Sequence, residues 1–323
     1  MAGRRRKLRR WLLGVVLVPF ALGLLPGVPH PLLHLFPLGA PIPPRAGVPA
    51  PNEGGERVLV LAPHPDDEVL GAGGAIVDLL AQGAQVLVVF LTNGDANTAA
   101  KHFFTWNPLH RAEDFQSLGY RRMKEAGKAL QILGVPPDHA LFLGYPDRGL
   151  LSLLTTHWDV PYRSPYTRRD RPFYRNSFNP EARYTGADLL RDLCAILEAF
   201  RPTLVYGPHP DDGHPDHRAA AAFLRRALAE SGLTPEVRYY LVHAPRWPLP
   251  RRLDPSRPLA APDFLLERWE WQELPVSATA AEKKLQALRA YGSQRLTNGR
   301  FLAAFVRQNE LFARDNLSAA PSR

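Results

Sequence analysis

The run from Arg57 to Asp95, RVLVLAPHPDDEVLGAGGAIVDLLAQGAQVLVVFLTNGD, decides the fold. Arg57–Ala62 is a short apolar stretch closed by turn residues, which predicts a buried strand. Gly71–Gln82 predicts a helix, and Gln85–Leu91 predicts a second buried strand. The same alternation continues outward. Helical periodicity within 111–133 stops at Gly134, a residue suited to ending a helix. Further strands are predicted at Ala140–Leu143, Thr203–Tyr206 and Val237–Val242. Further helices are predicted at Ala187–Phe200, Asp216–Glu230 and, as the closing element, Ala280–Tyr291. Strands alternating with helices imply an α/β fold with a mostly parallel sheet and helices on both faces. Chemistry in such sheets sits at the carboxyl ends of the strands.

Two segments rich in His and Asp begin where the first and fourth predicted strands end. The first is Ala62-Pro63-His64-Pro65-Asp66-Asp67-Glu68. The second is Gly207-Pro208-His209-Pro210-Asp211-Asp212-Gly213-His214-Pro215-Asp216-His217. His-Pro-Asp occurs three times across them in a chain with only 11 His. A lone HPDD turn would read as a loop with an N-capping Asp, but two clusters at two strand ends point to a metal site. The chain has one cysteine, Cys194, so a thiolate cage and an internal disulfide are both excluded. His64 and Asp67 lie three apart in a tight turn and can face one point. His214 and His217 lie three apart at a helix start and share a face. A hydrolytic zinc site takes three protein ligands and lowers the pKa of its bound water to about 7. Asp66 is placed to take the proton as a carboxylate outside the ligand set. A protonated His214 would stabilise the oxyanion and protonate the leaving amine. Asp216 would orient one of the imidazoles from behind.

These motifs resemble the PIG-L (LmbE-like) deacetylase family. APHPDDE and, about 150 residues later, GHPDH carry the likeness. Arg122-Met123-Lys124-Glu125 with Leu133-Gly134, the turn Leu143-Gly144-Tyr145-Pro146-Asp147, and Lys284 through Tyr291 with Ser293 and Gln294 extend it over about 57–300. The resemblance implies a Rossmann-like fold and zinc, or another divalent metal, held by His64, Asp67 and His217. It implies Asp66 as general base and His214 as the residue that stabilises the tetrahedral intermediate. The implied reaction is removal of the N-acetyl group from an N-acetylglucosamine-type sugar or glycoconjugate. An amidase acting on a non-sugar conjugate, or a tethered glycan-binding protein with an inactive site, are the competing readings. His209 is a spare imidazole, either a plain loop residue or a group behind the site. Arg122 reads as a sugar-contacting cation or as a partner of Glu125 and a nearby acid. Asn93, after the second strand, reads as a plain turn residue or a substrate contact.

The rest of the chain frames this domain. Net charge is +9, but Arg4, Arg5, Arg6, Lys7, Arg9 and Arg10 supply most of the excess. No basic and aromatic module for nucleic acid is present, so no nucleic-acid partner is expected. From Trp11 through Pro44 there is no Asp, Glu, Lys or Arg. Residues 1–28 therefore read as a basic N-terminus with a signal anchor, or a signal peptide cleaved later, that places the remainder outside the cytoplasm. Residues 29–56 read as a Pro/Gly-rich linker, 57–312 as the deacetylase domain and 313–323 as a tail. An amino-sugar glycan or glycolipid and the membrane are the expected partners, and the oligomeric state is not legible. The stretch 151–184, dense in Arg, Tyr, Phe and Pro, reads as a lid or wall of a sugar site, or as a loop packed on the surface or near the membrane.

Overall fold

The structure is a computed structural model that describes residues 41–105, 109 and 111–314. The predicted anchor at 1–28 lies outside the described residues. Among those described, no helix is long and apolar enough to cross a membrane.

In chain order the elements are β1 (Arg57–Ala62), α1 (Asp67–Ala81), β2 (Gln85–Thr92), α2 (Thr98–Thr105), α3 (Ala112–Leu133), β3 (Ala140–Tyr145), α4 (Leu150–Thr155) and α5 (Gly186–Phe200). Then follow β4 (Leu204–Pro208), α6 (Pro215–Ser231), β5 (Glu236–Tyr240), β6 (Glu270–Pro275), α7 (Ala278–Ala290), α8 (Gly292–Ala303) and β7 (Asn309–Arg314). One seven-stranded sheet runs in the order β3-β2-β1-β4-β5-β7-β6. The first five strands are mutually parallel. β7 runs antiparallel to both β5 and β6. The sheet is therefore mixed, which corrects the expectation of a mostly parallel one. The physical reason lies in the last two strands. β6 has a half-polar, largely exposed face, and β7 buries Asn309 and Glu310, so neither shows the apolar run of an interior strand. Helix α8 was also absent from the sequence expectation, and β7 continues past residue 312 to Arg314.

β1 and β2 are apolar almost throughout because both their faces are covered. The helices form two groups. α1, α3, α7 and α8 pack with one another, and α4, α5 and α6 pack separately. The sheet order reverses between β1 and β4, since β1 leads to β2 on one side while β4 lies on the other. That reversal opens a crevice at the carboxyl ends of β1 and β4.

The stretch 151–184 is not a wall of that crevice. After α4 it runs as an ordered collar along β3, the edge strand. The Phe178 amide donates to the Phe142 carbonyl (2.8 Å), and Tyr184 Oη donates to the Gly144 carbonyl (2.9 Å). An edge strand left open would pair with other chains, and the collar closes it. Residues 41–56, read as linker, carry no helix or strand but are tied down. Gln85 Nε2 donates to the Ala50 carbonyl (2.8 Å), and Arg45 Nη2 to the Phe178 carbonyl (3.0 Å).

Helix α1 is locked to the mixed edge by a buried ion pair. Glu310 accepts from Gly74 N (2.6 Å), Ala75 N (2.8 Å) and Lys284 Nζ (2.7 Å), and both charged side chains are almost fully buried. Breaking one partner of such a pair strands a charge. Lys284→Met is expected to lower unfolding free energy by about 3–5 kcal/mol in a denaturant titration. A loss below about 1 kcal/mol, the scale of an exposed pair, would show that the helix amides alone satisfy Glu310.

Candidate active site

The crevice is lined by His64, Asp66, Asp67, Arg122, Asp147, His214 and His243, together with Asn97, Arg148, Gln294, Asn298 and Phe301. His64, Asp66 and Asp67 come from the turn between β1 and α1. His214 and His217 open α6, and His214 is its N-cap. Parallel pairing of β1 with β4, at Val58–Leu204, Leu59–Val205 and Val60–Tyr206, sets these two turns side by side.

Asp67 is the hub. Its Oδ2 lies 3.2 Å from His64 Nδ1 and 3.1 Å from His217 Nε2. Four-coordinate zinc with bonds of about 2.0–2.1 Å separates its ligand atoms by about 3.3 Å. These spacings match the edges of such a tetrahedron. Neither ring nitrogen of the fully buried His217 makes a hydrogen bond of acceptable geometry, despite carboxylates close to both. A buried imidazole left so is suited to a cation. One nitrogen from each of His64, His214 and His217 also lies within 4.8 Å of the others. His214, however, commits Nδ1 to the amide of Asp216 (3.2 Å), which leaves only Nε2 for the cavity.

Behind each imidazole stands a second, buried carboxylate. His64 Nε2 faces Asp147 Oδ1 and Asp216 Oδ2, both at 3.3 Å. His217 Nδ1 faces Asp212 Oδ2 at 3.3 Å. A carboxylate behind a ligating imidazole fixes its tautomer and raises its basicity. Burial opposes a charge on His217, but Asp67 and Asp212 outweigh it and raise its pKa to about 10. This is an anionic pocket that calls for positive charge at its centre. Asp216, 3.3 Å from His64 Nε2, is itself held by the amides of Arg148 (2.6 Å) and Leu150 (3.1 Å). Asp212 is anchored by the amides of His214 (2.8 Å), Val242 (2.9 Å) and His243 (2.9 Å).

Asp66 occupies the N-cap position of α1 at φ 118°, yet its side chain caps nothing. A non-glycine residue in that region costs on the order of 1–3 kcal/mol. The Asp66 amide donates to Glu68 Oε2 (3.0 Å), and Glu68 accepts a short hydrogen bond from Tyr291 Oη. The carboxylate of Asp66 is thus free to face the cavity, with Arg122 Nη2 at 3.4 Å from its Oδ1. Burial pushes Asp66 up to about 7, and Arg122 partly offsets it. Arg122 is held by the carbonyls of Gly94 (2.9 Å) and Pro65 (2.5 Å). It pairs with Asp66, while Glu125 binds the Ser293 amide (2.9 Å) and hydroxyl. Gly94 permits this, because a Cβ there would fall 1.9 Å from Arg122 Nη1.

Burial and the imidazoles around it hold His214 down at about 3. Nδ1 accepts from the Asp216 amide, so Nε2 is the ring nitrogen left to face the cavity. Asn93 is fully buried and does not line the cavity. His209 is buried between Trp269 and Trp271, with Nδ1 accepting from the Asp211 amide (3.0 Å), and takes no part in the site. Asp147, Asp212, His243 and Tyr291 carried no role in the sequence expectation. His243 follows the end of β5, so its place after a parallel strand was the available signal.

The strand order and the clustered His and Asp side chains define a doubly wound α/β protein with a metal-binding crevice at its switch point. Residues 59–228 match the family model described as PIG-L, GlcNAc-PI de-N-acetylase, and the chain belongs to this family. Among curated relatives it is similar to the 1D-myo-inositol 2-acetamido-2-deoxy-alpha-D-glucopyranoside deacetylase of Mycobacterium sp. (strain KMS). That match is 33% identical over 180 residues, with 53% of this chain and 51% of that protein covered. The diacetylchitobiose deacetylase of Thermococcus kodakarensis is 29% identical over 181 residues, covering 55% and 51%. The chain spans about half the length of the curated relatives it matches. A crystal structure of a deacetylase from the teicoplanin biosynthesis pathway shares the fold, with TM-score 0.51 and 21% identity over 80% of this chain and 96% of that one.

Metal binding has two expected consequences. Zinc supplied at 100 times its Kd to chelator-treated protein should add about 2.7 kcal/mol and raise the melting temperature by roughly 4–5 °C, with no rise in His217→Ala. Asp212→Asn should weaken zinc binding roughly 10- to 100-fold in competition with a chromogenic chelator. Unchanged affinity would mean that Asp212 only braces the loop after β5.

Proposed function

We propose that this protein hydrolyses the N-acetyl group of an N-acetylglucosamine-type sugar or glycoconjugate, using a divalent metal, zinc by preference. One observation carries the reading. A buried aspartate that caps nothing, Asp66, stands beside a His–Asp–His triangle whose spacings suit a tetrahedral ion. His64, Asp67 and His217 would hold the metal, which when bound supplies Lewis-acid polarisation of the amide and of the attacking water.

The remaining work falls to the chain's own groups. Asp66 takes a proton from the attacking water as oxygen bonds to the carbonyl carbon. Arg122 holds the Asp66 carboxylate in place and keeps it from turning back to cap α1. His214, fixed by the Asp216 amide, offers its Nε2–H to the developing oxyanion. The C–N bond then breaks, and the proton on Asp66 passes to the leaving nitrogen. The immediate products are acetic acid and the amine; the acid's proton then passes to the amine, so acetate and the ammonium form leave and atoms and charge balance. Asp147 and Asp216 keep His64 in one orientation throughout. Membership of the PIG-L family and the amino-sugar deacetylases among its relatives support the choice of substrate. The basic and then apolar N-terminus supports a location outside the cytoplasm, with the N-terminal segment in the membrane. Cell fractionation with protease protection tests that point.

Asp66→Asn is expected to lower kcat for acetate release from N-acetylated glucosamine glycans by roughly 10²–10⁴-fold. Zinc content should stay at the wild-type value, because this carboxylate is not a ligand. Full activity in the variant, or no acetate release by the zinc-loaded wild type from any such glycan, would overturn the reading.

A further inference from the structure

The buried charges lining the crevice are matched, and the exposed arginine in its lining is not. Asp66 faces Arg122, Asp67 is shared by His64 and His217, and Asp147 is held by His64 and the Ala96 amide (2.7 Å). Arg148, on the wall, is exposed and, among the described residues, has no carboxylate within ion-pair distance. Its guanidinium lies 6.0 Å above the Tyr166 ring. Arg251 is likewise unpaired and lies 5.5 Å over Phe301, another wall residue.

The backbone at Arg148 is a second, independent observation. Its φ is +61°, a left-handed conformation that glycine adopts freely and arginine does not. The Arg148 amide is bound at 2.6 Å by Asp216, the carboxylate that also orients His64. The root of this side chain is therefore fixed relative to the reacting centre. An exposed cavity residue with a fixed root, and a planar cation without an acid partner among the described residues at its tip, fits recognition of a ligand.

We infer that Arg148 is a specificity-determining residue that binds an anionic group, phosphate or carboxylate, carried by the substrate near the acetamido sugar. This rests on the deacetylase reading for the substrate but not for the binding. A guanidinium–anion hydrogen-bonded pair discriminates charged from neutral ligands by roughly 10- to 100-fold. Arg122 is already paired with Asp66 and held by the Gly94 and Pro65 carbonyls, and it is buried where Arg148 is exposed.

Rates of acetate release would be compared on three compounds: an N-acetylglucosamine glycoside, its 6-phosphate, and a disaccharide in which glucuronate neighbours the acetamido sugar. The zinc-loaded full chain should show kcat/KM about 10- to 100-fold higher for at least one anionic compound than for the neutral one. Which of the two is favoured identifies the anion. In Arg148→Gln and Arg148→Gly that ratio should fall close to one, and in the wild type it should shrink with added salt. A ratio unchanged by both substitutions, or a wild type that favours the neutral compound, overturns the proposal. Thermal shift with glucosamine 6-phosphate against glucosamine gives a readout free of turnover. The extra shift from the phosphate should vanish in both variants, and persistence in either also overturns the proposal. Arg148→Gly should melt no lower than wild type, since glycine relieves the backbone, so lost discrimination is not lost folding. An Arg148-dependent phosphate shift with no acetate released from any compound would sink the deacetylase reading and leave the anion site standing.

Discussion

The pairing of β1 with β4 is the constraint on which the site depends. The two strands are separated by more than a hundred residues, yet their parallel register puts the turns after Ala62 and Pro208 on one edge of the sheet. Only there can Asp67 stand within 3.2 Å of imidazoles from both segments. The apolar, doubly covered strands make this register rigid, because a slip would move every buried side chain off its packing. The metal site is thus built on the stiffest part of the molecule, and the turns only point side chains inward.

A second ring of carboxylates surrounds the first. Asp147 from the turn after β3, Asp212 after β4 and Asp216 in α6 are all nearly fully buried. Each is stabilised by backbone amides that belong to neighbouring loops. Taking so many charges out of water is costly unless each is matched. The matching groups are imidazoles and backbone amides, together with the cation this pocket would hold, and the need for them explains why several loops converge here. Tyr291 and Glu68 add a brace from α7's end, holding the Asp66 amide and so the strained turn. The closing helices therefore support the first turn of the chain's own domain across the whole sequence.

Charge is matched unevenly in the crevice. Its buried acids are compensated, whereas Arg148, exposed in its lining, has no acid partner among the described residues. The aromatic, arginine-rich stretch 151–184 takes a different place from the one its composition suggested. Its tyrosines and amides bond to β3 and Asp95, so its rings pack against protein and leave the cavity to α8 and to the turns after β2, β3 and β5.

Much was legible from the residues in order. The alternation of apolar strands with amphipathic helices located β1 to β5 within a few residues. The repeated His-Pro-Asp at two strand ends marked His64, Asp66, Asp67, His214 and His217, which the fold brings together. These are local signals, since a strand's burial and a turn's composition are written in neighbouring residues. What the tertiary structure alone decided is pairwise and distant. The antiparallel β7 was hidden because Glu310 is neutralised by Lys284, a partner no local pattern announces. The places of Asp147, Asp212 and His243, the pairing of Arg122 with Asp66, and the lowered pKa of His214 depend on which groups meet in a buried crevice. Residue type in a sequence determines what chemistry is available, but the energy of a buried charge is set by its neighbours in space.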